Sequence, residues 1–152
     1  MRKPAKVSCT DPKEMRAHSR NWDLTKHIRS WDEMEAKRRR NYAILRDRLR
    51  DKEGIQVWDA PDVGRSAFVF PVRLCNGMNV TDAWRILKAE GIEIRTLMGG
   101  VSNEQVAFRE ILDSATLRIA HVMAETTFFV GIHQTLPEED VRHVAKTLSA
   151  FL

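Results

Sequence analysis

No apolar run in the sequence approaches the ~20 residues that a membrane-spanning helix needs. The opening Met1-Arg2-Lys3-Pro4 leads into polar sequence without the hydrophobic segment of a secretory signal. Cysteine is scarce as well. Cys9 and Cys75 are far apart and in no ligand-type spacing, which rules out a disulfide scaffold and a CxxC zinc site. Among five histidines, His18 and His27 are nine apart and His133 and His143 ten apart, so no helical i,i+4 metal pair exists. His121 stands by itself. There is no GxSxG elbow, and Gly99-Gly100 lacks the glycine spacing and the following Gly-Lys-Ser/Thr of a P-loop. Aromatic residues make up only 7% of the chain.

What remains can fold. Hydrophobic residues are 43% and charged residues 30% of 152, enough for one domain with a real core. The net charge of +4 is uneven: residues 1–54 carry +7 and the remainder −3. The densest basic run, Lys37-Arg38-Arg39-Arg40, follows Asp32, Glu33 and Glu35 within a helical pattern. That arrangement reads as a solvated helix face with i,i+4 ion pairs. Only Tyr42 lies beside it to stack on a base, so nucleic-acid binding is not expected. The chain reads as a cytoplasmic protein without membrane attachment.

Residues 1–22 lack periodicity and look like a loose basic leader or the remnant of something longer. From Asp23 to about residue 53, Leu24, Ile28, Trp31, Tyr42, Leu45 and Leu49 form one apolar stripe of a helix of roughly 28 residues. This exceeds the ~10–14 residues typical of globular helices, and Gly54 stands where it would cap the end. The stripe thins at Arg38, where the helix is expected to be exposed or to meet a partner. Ile55 to Trp58 and Ser66 to Leu74 read as strands, with Pro71 pointing to an edge position or a bulge. Asn79 or Thr81 caps a helix closed by Gly91. Ile92 to Thr96 is a strand, Leu97 to Gln105 a loop, Asp113 to Ala124 a helix and Thr127 to Gly131 a strand. Thr135-Leu136-Pro137-Glu138 reads as a capping box for a last helix. Cys75 reads as an inert packing residue at a strand end. The fold class is therefore α+β: a small, mostly antiparallel or mixed sheet, helices packed on one face, and a long interdomain-type helix in front.

Four stretches taken together resemble a known family. Gly91-Ile92-Glu93-Ile94-Arg95-Thr96-Leu97-Met98-Gly99-Gly100, continuing through Gln105-Val106-Ala107-Phe108, is similar to a loop of the DegT/StrS family of fold-type-I, pyridoxal-phosphate (PLP) dependent sugar-nucleotide enzymes. Ile119-Ala120-His121 followed by Thr127 to His133, with Glu138-Glu139, resembles that family's C-terminal "GFFVGNH" stretch. Ser66 to Val72 resembles its "SWFGFPI" strand, and Asp32 to Asn41 its interdomain helix ending in "RRxxN". The resemblance covers residues 24–152 and lies nearest the 3-dehydratases of NDP-4-keto-6-deoxyhexoses and the sugar aminotransferases.

The resemblance implies that 23–152 is a small C-terminal domain, with 23–53 linking it to a large domain. The large domain of the family carries the Schiff-base lysine (histidine in some dehydratases), the acid facing the pyridinium nitrogen and the phosphate cup. No lysine here falls in a matching motif, so this chain alone is not expected to hold PLP or to act, and it carries no catalytic residue of its own. Joined to a large domain, it would serve deoxysugar biosynthesis, including that of lipopolysaccharide O-antigen, with a nucleotide sugar as substrate. Arg95, Gly99, Gly100, Gln105 and His133 would then face that substrate. Arg95 and Gln105 would act as donors and His133 as a polar wall group. A purely structural role is the other reading, with Gly99-Gly100 turning the backbone and Phe128 in the core. Val101, Glu104, Val106 and Ile132 depart from the family's Asn, Arg, Pro and Asn. A second reading of the whole is a non-catalytic module that docks on a full-length relative, or forms homo- or hetero-oligomers, through residues 23–53.

Overall fold

The structure, a computed structural model, describes residues 30–60, 66–97, 101–106 and 117–151. The leader at 1–22, the start of the helical stripe and Gly99-Gly100 lie outside the described residues. The chain divides into two units, 1–33 and 34–152, and the second contains the sheet.

Helix α1 runs Trp31–Leu49, with Asp32 and Glu33 in its first turn and Arg46 and Arg48 in its last, each sign matched to the helix dipole. Tyr42, Leu45 and Leu49 fall at three- and four-residue steps and are buried. The helix stops at Leu49, five residues before Gly54. Gly54 instead has φ +84° and turns the chain into the first strand, its carbonyl accepting the Cys75 N–H at 2.7 Å. Trp31, placed on the stripe by spacing, is exposed.

Four strands follow: β1 (Ile55–Gln56), β2 (Val69–Leu74), β3 (Ile94–Thr96) and β4 (Thr127–Gly131). They form one sheet in the order β1-β2-β4-β3, antiparallel throughout. Pro71 therefore sits in an inner strand, opposite Phe129. Its tolerance has a local cause. β1 pairs only with Arg73 and Leu74, so at Pro71 the strand has a neighbour on one side only, as an edge would.

Side chains alternate across the pleat. Phe70, Val72 and Leu74 of β2, Ile94 of β3, and Phe128 and Val130 of β4 enter the core. That core is closed by α1, by α2 (Val80–Ala89) through Val80, Ala83 and Leu87, and by α4 (Glu138–Phe151) through Val141, Ala145 and Leu148. The fold is α+β with three helices on one face of the sheet. The remaining helix, α3 (Arg118–Thr126), buries none of its residues.

Local chemistry sets the ends of α2. Asn79 accepts the Asp82 N–H at 3.0 Å as N-cap. At the other end Ile92 N–H reaches Leu87 O and Gly91 N–H reaches Lys88 O, a Schellman closure with Gly91 at φ +75°. The capping box expected at Thr135 does not form in that shape. Helix α4 begins at Glu138, whose carboxylate bonds Arg142, while the Thr135 hydroxyl bonds the His133 ring. Cys75, expected to pack, is exposed, because β2 ends at Leu74 and the next residue leaves the sheet.

Tyr42 links α1 to the segment after β1. Its hydroxyl donates to the carbonyls of Trp58 (3.0 Å) and Asp59 (3.2 Å), and its ring meets Phe70 edge-on at 4.8 Å. Burial pushes its pKa above 10.0, the Asp59 charge adds to this, and Arg46 opposes it. The folded chain thus keeps this proton at a pH where the unfolded chain has lost it. The contribution of Tyr42 to stability is therefore expected to be constant up to about pH 10 and to fall above it. Tyr42→Phe should cost about 1 kcal/mol at neutral pH and flatten that alkaline decline, as read by urea unfolding at several pH values. An unchanged alkaline slope in the variant would assign the decline to other groups.

Candidate functional site

A groove of about 940 Å³ opens on the second face of the sheet and is bounded by Arg38 of α1 and Trp84 of α2. Strand register builds its floor: Val69 lies opposite Gly131, and Arg95 opposite Phe129. Because Arg95 is one residue out of phase with core-facing Ile94, the pleat places it on this second face. At Gly131 a Cβ would meet nothing within 4 Å, so the floor is open there.

Polar groups stand around the floor. The Arg38 guanidinium lies 6.0 Å from the ring centroid of exposed Phe68, and its Nε donates to Gln134 Oε1 at 2.8 Å. Arg95 Nη2 donates to Glu93 Oε1 at 2.9 Å, with both side chains mostly in solvent, so the pair adds little to stability. His133 closes one end, its Nδ1 2.8 Å from Thr135 Oγ1.

The backbone that carries His133 is held from α1. Asn41 is fully buried, and its Nδ2 donates to the carbonyls of Ile132 (3.4 Å) and His133 (3.0 Å). Arg40 adds contacts to Leu136 O at 3.5 Å and to the Glu138 carboxylate at 4.0 Å. The basic run is thus only partly the solvated face its charge pattern implied. Arg39 makes the expected i,i+4 pair with Glu35 at 2.7 Å, whereas Arg38 and Arg40 reach across to the β4–α4 connection.

Of the five residues expected to face substrate, Arg95 and His133 line this groove together. Gln105 does not. It follows a short 3-10 turn, Ser102–Glu104, and is exposed and absent from the groove lining. Gly99 and Gly100 lie outside the described residues. Two departures from the family pattern, Val101 and Ile132, are buried at 2% and 0% exposure, as apolar replacements should be. Glu104, the reversed charge, lies 3.4 Å from His121 Nδ1.

Arg38, Phe68 and Phe129 line the groove although none was among the residues expected to face substrate. A signal for Arg38 existed: three residues before Asn41, it shares that residue's helix face. A second cavity, of about 780 Å³, shares Trp84, Ile94 and Thr96 with the groove, and Glu125 is the only charged residue of its described lining. Among the described residues no three His, Cys, Asp or Glu side chains gather as a metal site, and no helix is long and apolar enough to cross a membrane.

The described lining of the groove includes no lysine. Lys88 stands 4.4 Å over the Trp84 ring and is not part of the lining. The groups present therefore do not fit a covalently held PLP, and no step through that cofactor is derived from them.

Residues 24–149 match the DegT/DnrJ/EryC1/StrS aminotransferase family. Among curated proteins no match was found. Several solved structures share the fold. An aminotransferase TlmJ from Streptoalloteichus hindustanus is 20% identical with a TM-score of 0.70, over 83% of this chain and 34% of that one. DesI, solved with its TDP-sugar product, is 24% identical with a TM-score of 0.69, over 81% and 32%. GDP-4-keto-6-deoxy-D-mannose-3-dehydratase of E. coli is 19% identical with a TM-score of 0.69, over 82% and 33%. The chain thus spans about a third of the length of the structures it matches.

Proposed function

Because the chain belongs to the DegT/DnrJ/EryC1/StrS aminotransferase family, we propose that it is the C-terminal portion of a PLP-dependent sugar-nucleotide aminotransferase or dehydratase. In this reading it supplies one wall of the substrate pocket, and the group that anchors the cofactor comes from outside these 152 residues. One observation supports it above the rest: Arg95 and His133, both carried over from the family pattern, line one groove beside the sheet.

The chemistry of that wall is recognition. Arg95 and Arg38 offer cationic donors to phosphate oxygens, against which Glu93 sets one opposing charge. Phe68 and Phe129 offer ring faces to a base or sugar. His133 offers a ring nitrogen. None of these groups breaks a bond in the substrate, and the role left to them is to bind and orient it.

Two measurements on the 152-residue chain test the proposal. Incubation with PLP should give no saturable Schiff-base absorbance, and borohydride should trap no adduct at a single lysine. A stoichiometric trapped adduct would mean that the chain holds the cofactor itself. In parallel, Arg95→Ala should weaken binding of a GDP- or TDP-sugar by roughly tenfold or more, as loss of a charged hydrogen bond does. Equal affinity in wild type and variant, together with co-purification of a full-length relative, would favour a docking module instead.

A further inference from the structure

Thr135 lies two residues past His133 and contacts its imidazole twice. Its hydroxyl oxygen is 2.8 Å from His133 Nδ1, and its backbone N–H donates to the same nitrogen at 3.4 Å. A backbone N–H can only donate, so Nδ1 must present its lone pair. The ring proton of neutral His133 then resides on Nε2. The hydroxyl, meeting that same lone pair, acts as donor too. From the other side Asn41 holds the carbonyls of Ile132 and His133, and Arg38 holds the Gln134 side chain. The segment that carries the imidazole is thereby fixed at its backbone, and the ring is fixed by Thr135.

We propose that Thr135 is a positioning residue that holds His133 as an Nε2–H donor facing the groove, so that the ligand atom it meets is an acceptor oxygen. This rests on the reading of the groove as a sugar-nucleotide wall, where hydroxyl and phosphate oxygens supply such acceptors. With Arg38, Arg95 and the indole of Trp84, His133 makes donors the majority of the polar side chains in the described lining, Glu93 and the Thr96 hydroxyl being able to accept. Thr135 is itself exposed and lies outside the core, so its replacement leaves the fold intact.

Nitrogen-15 spectra of the neutral imidazole in the full chain test the assignment. Wild type should show a pyridine-like Nδ1 and a pyrrole-like Nε2. Thr135→Val, which keeps the backbone N–H at 3.4 Å but loses the hydroxyl at 2.8 Å, should move both signals part of the way toward the mixed values of a free imidazole, and Thr135→Ser should restore them. GDP, the nucleotide named in one similar structure, serves as ligand probe. Its binding should fall by roughly three- to tenfold in Thr135→Val, the worth of one neutral hydrogen bond, and recover in Thr135→Ser. A pyrrole-like Nδ1 in wild type would overturn the proposal, as would Thr135→Val signals and affinity identical to wild type. If the signals behave as expected but GDP leaves them unmoved, the positioning role stands and the sugar-nucleotide reading of the groove falls.

Discussion

Replacing Phe128 by alanine is expected to destabilise the domain by about 3–5 kcal/mol, the usual range for deleting a buried phenylalanine ring. Phe128 has no exposed surface and lies in β4, the strand that joins β2 to β3. It faces Val72 on one side and Thr96 on the other, so the void would open in the middle of the sheet, where relaxation is hardest. A loss of that size is a large share of the 5–15 kcal/mol that holds an ordinary domain together. Urea unfolding followed by circular dichroism measures it. A loss below about 1 kcal/mol would place this ring at a site that collapses freely and would contradict its position in the core.

The second large effect is expected at Asn41. Asn41→Ala removes a side-chain donor from two carbonyls, those of Ile132 and His133, of which the second keeps the Leu136 N–H at 3.1 Å. An orphaned buried polar group costs about 1–3 kcal/mol, and the missing amide leaves a void besides. The expected loss is therefore about 2–4 kcal/mol. Its signature should differ from that of Phe128→Ala. Asn41 holds the segment bearing His133, so the ring signals of His133 should broaden or shift while the native fraction remains folded. Asn41→Asp separates the two causes: it keeps the volume but replaces the donor with an acceptor that repels both carbonyls. If Asn41→Asp were as stable as wild type, the two hydrogen bonds would not be what ties α1 to the β4–α4 connection.

The fold was largely legible because its strongest signals are local. Alternation identified β2, and Asn79 with Gly91 marked the ends of α2 through cap chemistry that depends on a few neighbouring residues. Where the reading erred, a contact outside the local pattern decided. Pro71 seemed to demand an edge, yet the shortness of β1 frees one side of an inner strand. Gly54 looked like a helix cap, but it is the Cys75 N–H that it meets. Thr135 had the spacing of a capping box, and the His133 ring claimed its hydroxyl first.

The site was half legible. Family likeness pointed to Arg95 and His133, and strand register brings both to one groove. Gln105 matched the same motif, but its place depends on the path of a loop, which no periodicity encodes. Arg38 stood out only as the place where the apolar stripe thins, and not as a groove residue, for the opposite reason. A run of four basic residues hides which one turns inward, and that is decided by Gln134, 96 positions away. The charge pattern described the face of α1 in general and missed the one guanidinium that approaches Phe68.

The bare backbone at Gly131 has a consequence for how such a protein diversifies. Its φ does not lie in the left-handed range, unlike those of Gly54, Gly77 and Gly91, and the space above it is empty. Ordinary side chains can therefore be accepted there without refolding the strand. A single codon change at this position would shorten or reshape the cleft, giving evolution a dial on which molecules fit while the supporting architecture stays as it is.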